Sequence, residues 1–383
     1  MVSWFTTQQA NSYWQRLLYV LLIGTLSGFA VLMSLWWGES MVSLNYEYER
    51  AGENLGLGTR QIKSSTVTIV FAGDVMLGRD VESISKRQLS YDYPFVAMKN
   101  VLASADLAIG NLESPLTEGV TVPTEAMVFR ADTEWAPALA DAGFDLLGLA
   151  NNHIPNQGER GIVDTIDALD RAQIVHSGAG VTVSAAKAPA YVTRDNCTVA
   201  MLAYNDTDVA PDGYFARDDH AGTALMDAAT VSADIARAKE NSDWVVVMMH
   251  SGSEYTVQPN TRQIEFAHAA IDGGADMVIG HHPHVVQSAE VYRGKYIFYS
   301  LGNFIFDQMW SMETRQGLAL ETTVVDDLLT QIRLIPIQIE NYSQPHIITD
   351  ERIAHQVLDR LAIAYSGDSA GDWVVDMSIE SNY

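Results

Sequence analysis

The chain has 383 residues, of which 48% are hydrophobic and 19% charged, a composition typical of a folded protein and too apolar for a disordered one. Forty-eight acidic residues against 23 basic ones give a net charge of −25, which argues against nucleic acid as a partner because the phosphate backbone would be repelled. Cys197 is the single cysteine, so the sequence excludes an intrachain disulfide and a thiolate metal cluster.

The first predicted element is a transmembrane anchor helix. Residues 17–37 carry no charge over about twenty positions, the length that spans a bilayer. Arg16 precedes this stretch and Glu39 follows it, so the positive-inside rule predicts a single-pass protein of the cell membrane, with a cytoplasmic N-terminus and an extracytoplasmic main domain. A cleaved signal peptide is the alternative, but the stretch is long for one and lacks an A-x-A site. We therefore predict a stub and anchor in residues 1–38 and a polar linker in residues 39–65.

The body of the chain, residues 66–340, alternates strand-like and helix-like segments. Strands are expected at residues 66–74, 105–113, 144–153, 243–252, 275–284 and 296–304. Helices are expected at residues 94–105, 133–142, 159–172, 231–240 and 261–272. This alternation predicts an α/β domain with a largely parallel sheet covered by helices.

The remaining segments follow this alternating body. Residues 317–325 and 329–340 alternate polar and apolar side chains and are expected as paired strands. Residues 341–383 are expected to form a C-terminal helix, at 351–365, and then an acidic tail.

Polar side chains follow the predicted strands at their C-terminal ends. In open α/β sheets this edge is where ligands bind. We therefore expect six side chains to converge there, which are Asp74, Glu113, Asn152, His250, His282 and His284. In an extended segment His282 and His284 would point the same way, since they are two positions apart. Each residue alone has an ordinary structural explanation, but all of them at one edge favour a metal or catalytic site.

The residue types predict one or two divalent metal ions, Mn, Fe or Zn. Glu113 is the best candidate to bridge two ions. The first ion would also be held by the amide of Asn152 and by the imidazoles of His250 and His282. The second would also be held by the carboxylate of Asp74 and the imidazole of His284. His153, beside Asn152, is placed for general acid catalysis or for an oxyanion contact.

Several motifs occur in a fixed order along the chain. They are "GDVMLGR" at 73–79, "GNLESPLT" at 110–117, "FDLLGLANNH" at 144–153, "HSGSEY" at 250–255, "GADMVIGHHPHVVQ" at 274–287 and "YSLGNFIFD" at 299–307. Together they closely resemble the CapA family of poly-γ-glutamate capsule synthesis proteins, a branch of the calcineurin-like metallophosphoesterase superfamily. The resemblance covers about residues 66–340 and implies a metallophosphoesterase-like layered α/β sandwich with the same order of metal ligands.

Two positions depart from the phosphoesterase pattern that the resemblance implies. Met76 stands where phosphoesterases carry a metal-binding histidine after the first aspartate, and Glu113 replaces an aspartate. A thioether is a poor ligand for a hard divalent ion. The ion beside Asp74 is therefore expected to bind weakly, with a single-metal centre as the alternative, and handling of an amide or a polymer is favoured over ordinary phosphatase chemistry.

Other side chains near these motifs are candidates for contacting the substrate or orienting the ligands. Arg79 is predicted as a catalytic residue that could meet a carboxylate through two hydrogen bonds, against the ordinary alternative of a surface ion pair. Arg130 has the same two interpretations. Glu254 is expected to touch substrate, and Asn303 and Asp307 are expected to orient the histidines.

The anchor, the external domain and the resemblance predict a membrane-anchored subunit of poly-γ-glutamate capsule synthesis or export that acts on the polymer through a metal centre. Other membrane subunits are expected as partners, because synthesis needs ATP-dependent chemistry and the chain has no P-loop. The alternatives are a secreted-side metallophosphatase or hydrolase, and a non-catalytic polymer-binding export scaffold with a degenerate metal site. A charge of −25 opposes an anionic polymer, so the site itself must be locally positive.

Overall fold

The computed structural model describes residues 64–119, 127–367 and 372–377. The predicted anchor, and the linker up to residue 63, lie outside the described residues. Among the residues that are described, no helix has the length and apolar character needed to cross a membrane.

The described residues form two large mixed sheets and a small two-stranded one, flanked by helices. The strands are β1 (Thr66–Val75), β2 (Leu107–Leu112), β3 (Leu146–Gly148), β4 (Val175–Ser177), β5 (Ala179–Gly180), β6 (Ala190–Arg194), β7 (Cys197–Asn205), β8 (Gly222–Thr223), β9 (Trp244–His250), β10 (Met277–His281), β11 (Ala289–Tyr292), β12 (Lys295–Phe298), β13 (Asn303–Ile305), β14 (Gln316–Val325), β15 (Leu328–Glu340), β16 (Gln344–Ile347), β17 (Tyr365–Ser366) and β18 (Trp373–Val375). The helices are α1 (Arg79–Arg87), α2 (Lys99–Ser104), α3 (Trp135–Ala142), α4 (Gly158–Arg171), α5 (Val183–Ala186), α6 (Val231–Lys239), α7 (Thr261–Asp272), α8 (Met312–Arg315) and α9 (Glu351–Leu358).

The parallel strands are divided between two sheets, whereas the sequence predicted a single one. The first sheet has the order β17-β18-β15-β14-β1-β2-β3-β4, in which β1 to β4 are parallel. The second has the order β11-β12-β10-β9-β7-β6, in which β7, β9, β10 and β12 are parallel. The prediction of one sheet was wrong because a strand buried on both faces has the same apolar sequence whichever sheet it joins.

The two sheets pack face to face, and helices cover their outer faces. On β1, Ile69 and Phe71 lie in the apolar cluster between the sheets, while Val70 lies in the cluster beneath the helices. On β9, Val246 faces the first sheet and Val247 packs with the side chains of α6 and α7. Burying such a side chain stabilises the fold by about 1.5–3 kcal/mol. The result is a layered α/β sandwich, as predicted.

The predicted strand at residues 296–304 is in fact two strands in different sheets. Gly302 adopts a φ of 68°, a conformation that interrupts an extended chain and that glycine tolerates best. β12, before this glycine, pairs with β10 in the second sheet, and β13, after it, pairs with β1 in the first. The chain therefore crosses from one sheet to the other immediately before Asn303.

The helices agree with the predictions except near the two ends of the body. α7 has the predicted bounds, but the helix expected at 94–105 is a 3₁₀ turn at Tyr93–Phe95 followed by the shorter α2. Cys197, the single cysteine, is 1% exposed at the start of β7 and packs there as a small buried side chain.

The C-terminal segment is built into the first sheet. β14 and β15 pair antiparallel, as predicted. The helix expected at 351–365 ends at Leu358, and the segment expected as an acidic tail supplies β18, which pairs with β15. Trp373 on this strand is 4% exposed, and burial of its large apolar ring explains why the segment is held there.

Candidate metal centre

Strand ends from both sheets meet at one place. We use the name candidate metal centre for the group Asp74, Asn111, Glu113, Asn152, His153, His250, His281, His282 and His284. Asp74 and Asn111 lie at the ends of β1 and β2, and Glu113 follows directly after β2. His250 and His281 are the last residues of β9 and β10, and they lie side by side in the second sheet. The predicted convergence at strand ends is therefore present, but it joins two sheets.

Glycines before two of these residues allow the strands to approach their neighbours closely. A Cβ atom at Gly73 would lie 2.0 Å from the carbonyl oxygen of Gly302, and one at Gly280 would lie 1.9 Å from that of Tyr299. No other residue fits such contacts without a shift of the backbone. The two glycines therefore fix the strands that carry Asp74 and His281.

Glu113 lies at the middle of the candidate metal centre. Its side chain is fully buried, and no hydrogen-bond partner for its Oε1 atom is found in the described part of the chain. Three imidazole nitrogens surround this oxygen, since the Nε2 atoms of His153, His284 and His250 lie 3.8, 3.9 and 4.0 Å from it. A buried carboxylate oxygen without a partner is costly, and a cation between it and the nitrogens of His250 and His284 would satisfy them.

Asp74 is held by several donors. Its Oδ1 accepts hydrogen bonds from Asn111 Nδ2 at 2.8 Å and from His281 Nδ1 at 3.0 Å, and its Oδ2 accepts one from the backbone N–H of His282 at 3.3 Å. Burial raises the pKa of Asp74, but hydrogen bonds and electrostatic attraction from His281 and His284 outweigh burial and hold that pKa well below its ordinary value. Asp74 is therefore an ionised carboxylate.

The second carboxyl group has the opposite tendency. Burial raises the pKa of Glu113 well above its ordinary value, and the negative charges of Asp74 and Glu254 raise it further. Atoms of Asp74, Glu113 and His250 lie within 4.8 Å of one another. A divalent cation among them would offset this repulsion and favour the ionised form of Glu113, so the residues fit a metal ion.

His153, His250 and His282 are neutral, and neutral histidine is the form that binds metals. Burial lowers the pKa of His153 and of His282 to about 3. Burial also lowers the pKa of His250 well below its ordinary value, with a further contribution from His282. The Nδ1 atom of His282 is buried and has no hydrogen-bond partner among the described residues.

The hydrogen bonds of Asn303 determine which nitrogen of His284 carries the proton. Asn303 Nδ2 donates to Gln308 Oε1 at 3.1 Å and to the carbonyl oxygen of Thr314 at 2.9 Å, so its Oδ1 faces His284. His284 Nδ1 lies 2.9 Å from that oxygen and must donate to it. In the form of His284 that binds metals, the Nε2 lone pair is then directed toward Glu113. Asn303 thus makes the kind of orienting contact that was expected of it.

His153 is fixed in the same tautomer. Its Nδ1 lies 2.9 Å from Asn156 Oδ1, which also accepts a hydrogen bond from the backbone N–H of Phe129. The ring of Phe129 stacks on the imidazole at a centroid distance of 3.8 Å. The Nε2 atom facing Glu113 therefore carries a lone pair, and at neutral pH His153 can accept a proton but has none to donate there, which differs from the expected general acid.

His282 and His284 reach the candidate metal centre by a different route from the one the sequence suggested. β10 ends at His281, and the next residues form a turn in which the φ angles of His282 and His284 are 97° and 59°. The expectation that both rings point the same way from an extended strand was wrong. The turn still brings their ring centroids to 5.9 Å, and the His282 ring lies 4.9 Å from that of His250. Positive φ angles at histidines store strain, which is common at functional sites.

Asn152 and Glu254 lie at the edge of the candidate metal centre. The Oδ1 atom of Asn152 lies 2.9 Å from His250 Nε2. Glu254 is exposed on the loop after His250, and its charge contributes to the raised pKa of Glu113.

The two arginines are both engaged in ion pairs. Arg79 donates two hydrogen bonds to Asp307, at 2.7 and 3.0 Å, and its guanidinium lies 5.3 Å from the ring centroid of Phe129. Asp307 therefore holds Arg79 and does not contact the histidines as expected. Arg130 lies 2.6 Å from a carboxylate oxygen of Asp132. The ion-pair alternative describes both arginines, because each is paired with a buried or half-buried carboxylate.

Met76 points away from the candidate metal centre. It is fully buried in the apolar cluster beneath the helices, and its sulfur accepts a hydrogen bond from the backbone N–H of Gly78 at 3.1 Å. Met76 therefore contributes to packing under the loop that follows β1.

Sequence reasoning missed three polar residues. His281 and Asn111 contact Asp74 directly, and Asn151 donates to the side-chain oxygen of Asn111 at 3.0 Å. Each is adjacent to, or two positions from, a predicted ligand. The sequence did carry a signal for them, because each strand end has a run of polar residues. Only one residue of each such run was predicted as a ligand.

Comparisons with known proteins identify relatives of the sequence. The sequence model of the family described as "Bacterial capsule synthesis protein PGA_cap" matches residues 68–308. The chain is 35% identical over 289 residues to the capsule biosynthesis protein CapA of Bacillus anthracis, covering 73% of this chain and 69% of the relative. It is 33% identical over 309 residues to the PGA biosynthesis protein CapA of Bacillus subtilis (strain 168), covering 80% and 79%.

More distant similarities were found among solved structures. The calcineurin-like phosphoesterase YfkN from Bacillus subtilis aligns with a TM-score of 0.40 and 11% identity, over 78% of this chain and 96% of that one. The protein TT1561 of Thermus thermophilus aligns with a TM-score of 0.38 and 10% identity, over 67% and 94%.

Proposed function

Because the chain belongs to the bacterial capsule synthesis protein family, we propose that it is a metal-dependent subunit of capsule polymer synthesis or export and that it acts on poly-γ-glutamate. The names of the relatives refer to capsule, PGA and polyglutamine synthesis. The names of the relatives therefore support a role in capsule polymer synthesis, and the candidate metal centre supports metal-dependent chemistry.

One observation carries the metal dependence. Glu113 Oε1, which has no hydrogen-bond partner in the described part of the chain, is surrounded by three imidazole Nε2 atoms at 3.8–4.0 Å. Two ions would be held by Glu113 together with Asn152, His250 and His282 on one side and Asp74 and His284 on the other. A divalent ion bound there would polarise a carbonyl or phosphoryl oxygen and lower the pKa of a bound water. His153, with its bare Nε2 directed at Glu113, would accept a proton from the reacting group.

The charges around the candidate metal centre bear on the polymer. Arg79 and Arg130, the arginines that the sequence suggested could meet a carboxylate, are paired with Asp307 and Asp132. They are therefore poor partners for the carboxylates of an anionic polymer. In a chain of net charge −25, a bound divalent ion would supply the positive charge that a polymer carboxylate needs near Glu113.

The proposed location is the outer face of the cell membrane, with residues 17–37 as the anchor. In spheroplasts of cells that make the full chain, an added protease should remove the main domain if it is outside. A domain that stays intact until the membrane is broken would overturn this location and leave the metal chemistry untouched.

The experiment for the function compares the full-length protein with Glu113→Gln, which keeps the shape of the side chain and removes its charge. Loss of contacts that only orient a metal ligand costs about 10–100-fold in affinity, so loss of a direct ligand should cost at least that. Metal content is measured by elemental analysis, and capsule formation by complementation of a strain that lacks its own gene. Glu340→Gln, at an exposed carboxyl group at the end of β15, is the control.

The outcomes separate the proposal from its alternatives. We expect Glu113→Gln to lose both metal and complementation and Glu340→Gln to keep both. A metal-free wild type that complements, or a Glu113→Gln variant that complements without metal, would identify a polymer-binding scaffold. Turnover of phosphodiesters without any effect on the polymer would identify a phosphatase.

A further inference from the structure

His281 has no part in the ligand assignments above, yet it is 1% exposed at the heart of the candidate metal centre. Its Nδ1 lies 3.0 Å from Asp74 Oδ1, and its Nε2 has no partner in the described part of the chain. Resting on the metal centre proposed above, we propose that His281 is a positioning residue. It holds the Asp74 carboxylate in the orientation that binds an ion.

The contact fixes the position of the proton on His281. Asp74 Oδ1 can only accept, so Nδ1 carries the hydrogen that lies between the two atoms. His281 therefore donates from Nδ1 to Asp74, and its Nε2 atom is left without a hydrogen-bond partner in the described part of the chain.

The same contact makes the two carboxylate oxygens of Asp74 differ in how many hydrogen bonds they accept. Oδ1 accepts from both Asn111 Nδ2, at 2.8 Å, and His281 Nδ1, which uses both of its lone-pair directions. Oδ2 has a longer hydrogen bond, at 3.3 Å, from the backbone N–H of His282, and His284 Nδ1, which donates to Asn303, lies 3.6 Å from it. Oδ2 is therefore the oxygen that is available to an ion, and His281 helps to keep it so.

The position of His281 in the fold suits this task. It is the last residue of β10, paired in register with His250 of β9, and its carbonyl oxygen accepts from the backbone N–H of Ser251 at 3.1 Å. Asp74 belongs to β1 in the other sheet. The side-chain hydrogen bond thus joins the two sheets at a point where the backbone on each side is held by a strand, whereas His282 lies on the turn that follows.

The test uses two substitutions that each keep one end of the imidazole. His281→Asn places an amide N–H near the Nδ1 position, and His281→Gln places an amide near the Nε2 position; His281→Leu keeps neither. Binding of Mn²⁺ to the metal-free full-length protein is measured by calorimetry, and thermal unfolding without metal is measured in parallel. We expect His281→Asn to bind Mn²⁺ within a few-fold of the wild type, and the other two variants to lose about 10–100-fold in affinity for the ion beside Asp74.

Other results would overturn the proposal in recognisable ways. If His281→Gln binds well and His281→Asn does not, then His281 binds the ion directly through Nε2. If all three variants bind like the wild type, or all lose affinity only in proportion to lost thermal stability, its role is structural. In the Asp74→Asn background, the His281 substitutions should have no further effect on Mn²⁺ affinity, and an additional loss there would also refute the proposal. A wild type that binds no Mn²⁺ would refute the proposed metal centre itself.

Discussion

Replacement of Met76 by histidine tests whether the phosphoesterase-like donor can be restored at this position. The sequence alone suggested that Met76→His would add a metal ligand. Met76, however, is fully buried in the apolar cluster beneath the helices, and its sulfur accepts from the backbone N–H of Gly78. We therefore expect Met76→His to destabilise the protein and to leave its metal stoichiometry unchanged.

The magnitude follows from what the imidazole would meet there. One ring nitrogen can take over the hydrogen bond from Gly78, but the other is left without a partner, at a cost of about 1–3 kcal/mol. Placing a rigid ring where a flexible side chain packs adds about 1–3 kcal/mol. The free energy of unfolding should therefore fall by about 2–6 kcal/mol, whereas the control Met76→Leu should cost less than about 1.5 kcal/mol.

The assay combines urea unfolding with titration of the metal-free protein by Mn²⁺ or Zn²⁺. A Met76→His variant that is as stable as the wild type and binds one more equivalent of metal would refute this reasoning. It would also restore the view that Met76 weakens the ion beside Asp74 directly.

Three further predictions concern the rest of the described chain. Arg79→Met should cost about 3–5 kcal/mol of stability in urea unfolding, because it leaves the buried Asp307 carboxylate unpaired, and adding Asp307→Asn should recover most of the loss; an equally unstable double variant would contradict this. Burial raises the pKa of Asp206, but hydrogen bonds from Arg262 outweigh it and the pKa is lowered, so this carboxylate stabilises the fold above about pH 4 and its contribution is lost as the pH falls through the folded-state value. The melting temperature of Asp206→Asn should accordingly depend less steeply on pH below about pH 4 than that of the wild type, and parallel curves would argue against it. Trp373→Ala should cost about 3–5 kcal/mol in urea unfolding, because the ring is buried in the first sheet, whereas a loose tail would lose nothing.

Much of the candidate metal centre was predictable from local sequence. β-branched and apolar runs such as those before Asp74 and His250 must be buried, and a polar residue at the end of such a run marks where the strand leaves the core. Together with the motif order, this placed Asp74, Glu113 and His250 in one site and predicted a layered α/β sandwich. The membrane anchor at residues 17–37 stays a prediction, since it lies outside the described residues.

Other features depended on partners far away in the chain. Asp74 and His281 are separated by 207 positions, and nothing near either residue indicates that they pair across two sheets. The ion pair of Arg79 with Asp307 joins residues separated by 228 positions. Because of this pair, the charge of Arg79 is already neutralised by Asp307. Local pattern identifies a charged or polar side chain, but only the fold determines which group neutralises it.

The division of the strands between two sheets and the path of the histidine turn were likewise decided by the tertiary structure. The apolar sequences of β1 and β9 indicate that both faces of these strands are buried, but they do not indicate which elements cover each face. His282 and His284 adopt positive φ angles that their own side chains disfavour, so the surrounding packing must impose them. Burial, which follows from local hydrophobicity, is therefore readable in the sequence, whereas strained backbone and the choice of contact partner arise only when distant segments pack together.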